Sequence, residues 1–166
     1  MTADWKKSGS LPPGRSSQAL TEEQRRKIEM EFRTLGFDGL LEFPDLLDPR
    51  TGEKTRTRFV PHREQDGNRI GKIIVGPDIM PGKGTNPNSF MDRFTAIAHE
   101  ITHFRRWEGG MSCDDPELEE LDEAQTDLQA ACYFRRDLNA SQVESLITDA
   151  LERLILLERR LEGGGK

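Results

Sequence analysis

Cysteine is nearly missing from this chain: only Cys113 and Cys132 occur in 166 residues. Two thiols are too few for a disulfide framework. Long apolar runs are missing as well. No stretch approaches the ~20 residues a membrane-spanning helix requires, and the opening segment MTADWKKSGSLPPGRSS has no apolar centre of a secretion signal. The expected setting is the cytoplasm, with reduced thiols and no membrane partner. A basic face is also lacking: 24 Lys and Arg are interleaved with 30 Asp and Glu, for a net charge of −6. Neutralising phosphates needs clustered cations, so nucleic acid is not an expected partner. Only 34% of residues are hydrophobic, enough for one modest core at this length.

What is present divides unevenly along the chain. Residues 1–18 are rich in Ser, Pro, Gly and Lys and are expected to form a disordered tail. Residues 19–162 are expected to form a single domain, and 163–166 (GGGK) a flexible end. A helix is predicted from a capping box at Thr21 and Gln24 to a stop at Gly36, with Ile28, Phe32 and Leu35 facing inward. The Pro- and Gly-broken segment GLLEFPDLLDPRTGEK reads as loop. Thr55–Pro61 and Arg69–Val75 read as a β-hairpin around an Asp66-Gly67-Asn68 turn. Three helices are then predicted. The first runs from a Ser89 cap to Gly109-Gly110, the second from Pro116 through Phe134, and the third from a Ser141–Glu144 capping box.

The first of these three carries His99-Glu100-Ile101-Thr102-His103, an H-E-x-x-H motif. Residues four apart share a helix face, so both imidazoles can reach one ion. Zinc suits neutral imidazole nitrogens in tetrahedral coordination, and Glu100 between them is placed to act as general base. With three histidines in the chain, composition alone produces this pattern on the order of once in two hundred chains. Phe94, Ile97, Ile101 and Phe104 form a separate inward stripe, leaving the histidines to another face. A catalytic zinc site needs a third protein ligand and an open fourth position.

Downstream lies Asp122-Glu123-Ala124-Gln125-Thr126-Asp127. The pairing of H-E-x-x-H with this segment resembles the gluzincins, thermolysin-like metallopeptidases with an [N/D]-E-x-x-x-D helix. The resemblance covers about residues 90–135. It implies that Glu123 is the third zinc ligand and that Asp127 accepts a hydrogen bond from His99. Glu120 and Glu119 are the alternative ligands on the same acidic helix. In size and context the chain resembles the small bacterial ImmA/IrrE-type metallopeptidases, which place a strand-bearing part before H-E-x-x-H. It departs from them at Thr102 and at Cys132-Tyr133-Phe134-Arg135, where the family helix ends differently.

On helical phase, Leu121, Ala124, Leu128 and Ala131 mark one stripe of the acidic helix. Glu123, Asp127, Ala130 and Phe134 mark a neighbouring one at the border of the core. Cys132 is expected to be buried and Trp107 to pack between the two site helices. His62 and Tyr133 are candidates for the group that polarises a scissile carbonyl, set against an ordinary surface role. Val143, Ile147, Ala150, Leu154, Leu157 and Leu161 form a seam suited to packing on its own domain or to dimerisation, leaving the oligomeric state open.

These expectations describe an α+β, zincin-like domain with a small hairpin-based sheet on about four helices. It would hold one catalytic Zn2+ and hydrolyse a protein or peptide bound as an added strand at the Ile73–Gly76 edge. The competing expectations are a non-hydrolytic interaction protein with a structural zinc, and the peptidase part of a multi-component effector system.

Overall fold

The computed structural model describes residues 14–47, 52–63 and 69–164. It is an α+β fold with five helices and a three-stranded sheet among those residues. Helix α1 (Glu22–Thr34) begins at the expected capping box: Gln24 N donates to Thr21 Oγ1 at 3.2 Å, and Thr21 N to Gln24 Oε1 at 2.8 Å. Gly36 adopts φ +82°, which terminates the helix at no Cβ cost. Ile28 and Phe32 of α1 and Leu35 just beyond it are buried as their spacing requires.

The hairpin is present as β2 (Arg58–Arg63) antiparallel to β3 (Arg69–Ile74); its Asp66-Gly67-Asn68 turn lies outside the described residues. A strand was missed. Leu40–Glu42 forms β1, parallel to β3 with Leu41 opposite Ile73, inside the segment read as loop. Three residues between Gly39 and Pro44 carry too little pattern to signal a strand; the backbone of β3 recruits them. The consequence is that β3 is central, in the order β1-β3-β2. Ile73 and Ile74 are therefore paired on both sides, and the edge expected to receive a peptide is not free.

The long helix expected from Ser89 is divided. Helix α2 (Pro87–Phe90) is capped by Asn86, whose side chain accepts from Ser89 N. The chain then turns at Met91, and Asp92 caps α3 (Arg93–Glu108) by accepting from Thr95 N at 2.8 Å. Asn and Asp outcompete serine here because each places an oxygen on the free N–H three residues on. Helix α4 spans Glu119–Tyr133 and α5 spans Ala140–Gly163, so Gly163 continues the helix expected to end before it. The α5 cap is Asn139 with Gln142, two residues ahead of the expected Ser141–Glu144 box.

Helix α3 packs on the sheet, on α1 and on α4, and α5 covers α4. Gly71 of β3 admits the Phe104 ring: a Cβ there would lie 2.2 Å from Phe104 Cδ2. Ile97 and Ile101 floor the helix against the core, each contributing about 1.5–3 kcal/mol by burial. Trp107 packs on Phe59 of β2 at 5.4 Å between ring centroids, rather than between the site helices. In α4 the acid-bearing stripe is buried throughout, at Glu123, Asp127, Ala130 and Phe134, while the neighbouring stripe is split, with Ala124 buried, Ala131 packed against the core and Leu128 exposed. Cys132, expected inside, is exposed on the outer face. In α5 the inward line is Leu146, Ala150, Arg153 and Leu157; Ile147, Leu154 and Leu161 of the expected seam are exposed.

The last residues assigned to the N-terminal tail take part in the fold. Arg15 is buried and donates to the carbonyl oxygens of Ile79, Asn88 and Met91 at 2.6–2.8 Å, and to that of Asp78. It clasps the segment that leads from β3 into α3. No helix among the described residues is long and apolar enough to cross a membrane.

Candidate metal centre

Two helices build the site, each through an i, i+4 pair. From α3 come His99 and His103, whose Nε2 atoms lie 3.0 Å apart. From α4 comes Glu123, with Oε2 3.2 Å from His99 Nε2 and Oε1 3.2 Å from His103 Nε2. Asp127, one turn after Glu123, places Oδ1 2.7 Å from His99 Nδ1. The register between the helices is set by Arg106, which is buried and donates to Asp122 Oδ1 at 2.6 Å, Gln125 Oε1 at 3.0 Å and the Met111 carbonyl at 3.0 Å. Cys113 N donates to the same Asp122 oxygen at 3.0 Å, fixing the intervening loop.

The donor chemistry fits a cation. With Asp127 accepting from Nδ1–H, His99 presents the Nε2 lone pair. Thr126 Oγ1 donates to the Asp122 carbonyl at 2.8 Å, so its lone pair faces His103 Nδ1 at 3.4 Å and favours the same tautomer there. Two imidazole lone pairs and a carboxylate then converge, an arrangement that repels itself unless a proton or a metal ion lies between them. Donors held about 2.0–2.1 Å from a tetrahedral ion sit about 3.3 Å apart, close to the 3.0 and 3.2 Å observed. A buried group of His99, His103 and Glu123 could thus hold a metal ion, and no fourth His, Cys, Asp or Glu joins it among the described residues.

Electrostatics follow from burial. Glu123 is buried beside two imidazoles and the Arg153 guanidinium, which outweigh its desolvation and hold its carboxyl well below the usual range. Burial opposes charge on His99 too, but Asp127 and Glu123 prevail and raise the imidazole well above its ordinary value in the metal-free protein. At Asp127 desolvation wins over His99, and the carboxyl rises to about 7, with the neighbouring Asp149 adding to the rise. Glu100 is fully buried, and neither carboxylate oxygen has a hydrogen-bond partner among the described residues. Burial pushes it up to about 7 against the opposing pull of His103 and His99.

His99, His103 and Glu123 are brought into one donor group, with Asp127 bonded to His99 and the buried Glu100 near enough to feel both imidazoles; Glu119 and Glu120, the alternative ligands, are not part of the donor group. Tyr133 is not brought there. It lies nearly three turns beyond Glu123, about 15 Å along the helix, exposed and beneath the Arg105 guanidinium at 5.6 Å. His62 lies in β2 opposite Ile70, and its side chain is outside the described part of the structure.

Sequence reasoning missed Arg153 of α5. It is buried and lies 2.8 Å from Asp149, 3.4 Å from Glu120, 3.7 Å from Glu123 and 3.8 Å from Asp127. Burial disfavours its charge, yet Glu123, Asp149 and Asp127 raise its pKa further above the ordinary value. Asp149 and Arg153 form an i, i+4 pair, a spacing legible in the sequence, but such pairs ordinarily sit in solvent. Comparisons with protein-family models, with curated proteins and with solved structures return no match.

Proposed function

We propose that the chain is a zinc-dependent peptidase of zincin-like architecture, using His99, His103 and Glu123 as ligands and Glu100 as general base. The observation that carries this reading is the donor group itself: three donors close enough for one ion and, among the described residues, no fourth His, Cys, Asp or Glu beside them and no hydrogen-bond partner for the buried carboxylate next in sequence to the first ligand. A structural zinc site is closed by four protein ligands, whereas a catalytic one leaves a position for water or substrate.

A bound divalent ion supplies positive charge that acidifies water and polarises a carbonyl. The chain's own residues do the rest. Glu100 takes the proton from the attacking water and returns it to the departing amine, a role suited to a carboxyl whose pKa burial has moved toward neutrality. Asp127 holds the Nδ1 proton of His99 and keeps Nε2 directed at the ion. The substrate is a protein or peptide. Since β3 is covered on both sides, an added strand would pair along β1 or β2, and β2 is the edge strand packed against α3.

The test is zinc content per chain for wild type, Glu123→Ala and Glu100→Gln. About one zinc in wild type, lost in Glu123→Ala and kept in Glu100→Gln, is the expected result. Zinc absent from all three after added metal refutes the metal centre.

Burial favours a second reading. Glu100 is 0% exposed, His99 1%, Glu123 4% and His103 8%, which suits a non-hydrolytic protein with a closed metal site. A hydroxamate added to the Co2+-loaded protein separates the two. An open position gives a new visible absorption spectrum, and a closed site gives none.

A further inference from the structure

We propose that Arg153 is the positioning residue of this metal centre, holding Glu123 and Asp127 correctly aimed without touching the ion. The inference rests on the metal-centre reading and deepens it.

Helix α4 buries two carboxylates, Glu123 and Asp127, on one face, and α5 brings a third, Asp149, against them. Buried acids gathered in this way repel one another and lose hydration, so a fixed counter-charge is required. Arg153 is placed to supply it. Its Nε bonds Asp149 at 2.8 Å, which anchors the guanidinium from its own helix. From that anchor the fork spans the acid stripe of α4, with Nη1 3.4 Å from Glu120 Oε2, Nη2 3.7 Å from Glu123 Oε2 and Nε 3.8 Å from Asp127 Oδ2. Only a guanidinium covers so many acids at once; an ammonium is a single point charge.

The distances differ in a useful way. Asp149, which lies outside the donor group, receives the short bond. Glu123 and Asp127 receive charge at 3.7 and 3.8 Å, and Nη2 makes no hydrogen bond among the described residues. A short fork on Glu123 would draw its oxygens toward α5. At the observed separation they remain aimed at the two Nε2 atoms, 3.2 Å away. The Asp127 oxygen that faces Arg153 is Oδ2, leaving Oδ1 to His99. Arg153 thus reaches Asp127 through the oxygen that His99 leaves free, and Glu123 on the flank of the oxygen it shares with His99. A plain helix-to-helix ion pair would place its short bonds on α4.

The experiment compares full-length wild type, Arg153→Lys and Arg153→Met by Co2+ titration. Affinity and the visible absorption spectrum are read at a temperature where circular dichroism shows each protein folded. Thermal midpoints of the metal-free proteins are recorded in parallel. Removing a group that orients metal ligands typically costs 10–100-fold in affinity. Arg153→Met is expected to bind Co2+ at least tenfold more weakly with an altered spectrum, and Arg153→Lys to fall between. Wild-type affinity and spectrum in Arg153→Met, with only a lowered midpoint, would overturn the proposal and leave a structural ion pair. Tighter binding in Arg153→Met would overturn it too, since Arg153 would then act by repelling the ion. If Arg153→Met does not fold, Arg153→Lys decides, because it keeps the charge and loses the fork; wild-type binding there refutes positioning. Failure of wild type itself to bind Co2+ overturns the metal centre, and the positioning role with it.

Discussion

Replacing Glu100 by Gln in the metal-free protein isolates the cost of burying one carboxylate at the centre of the site. Glu100 is fully buried, its oxygens lack partners among the described residues, and its pKa rises from 4.5 to about 7. An acid whose pKa is higher folded than unfolded takes up a proton on folding, so its contribution to stability declines as pH rises between the two values. At about 1.36 kcal/mol per pH unit, that gap corresponds to about 3 kcal/mol lost above pH 7. Gln cannot ionise, so the variant escapes the loss. Its stability should match wild type near pH 4.5 and exceed it by about 3 kcal/mol at pH 8. Urea unfolding in the presence of a chelator, at several pH values, measures the difference while the other titrating groups remain common to both proteins. A variant-minus-wild-type stability that does not change between pH 4.5 and pH 8 would refute the reasoning and mean that water reaches Glu100. Adding zinc should shrink the difference, because a nearby cation favours the ionised carboxylate.

Asp127→Asn keeps an acceptor for His99 Nδ1 but removes its charge, so zinc affinity measured against a chromophoric chelator should fall about tenfold. Arg15→Met leaves four carbonyls without their donor, three of these bonds being buried; the unfolding free energy should drop by about 3–5 kcal/mol, and a loss below about 1 kcal/mol would deny the clasp its role. Gly71→Ala drives a methyl into the Phe104 ring and should cost about 1–3 kcal/mol in the same assay, with a lowered thermal midpoint.

Much of the site was legible because it is local. His99, Glu100 and His103 occupy one helix, and the spacing of the histidines alone fixes their shared face. Glu123 and Asp127 obey the same rule on α4, and their phase beside Ala130 and Phe134 already placed acids at the border of the core. The capping box at Thr21 and the hairpin pairing of β2 with β3 were legible for the same reason. The errors arose where a neighbour in space outweighed local pattern. Strand β1 exists because β3 offers it a backbone, and Asn86, Asp92 and Asn139 took the caps expected at serines. Leu128 and Cys132 point outward because α5 packs on the acidic stripe of α4, and Tyr133 stacks with Arg105 far from the donor group.

The amino-acid sequence by itself determined which residues could ligate and on which helix faces they stand, since a period of 3.6 residues needs no tertiary contact. Only the tertiary structure decided that the two donor faces meet, through Arg106 on Asp122, and that Arg153 from α5 lies against the acids behind them. The physical reason is that a charged side chain on a helix reads as solvated in one dimension. Whether it is instead buried and paired depends on which distant segment packs over it, as Arg15 and Arg153 both illustrate.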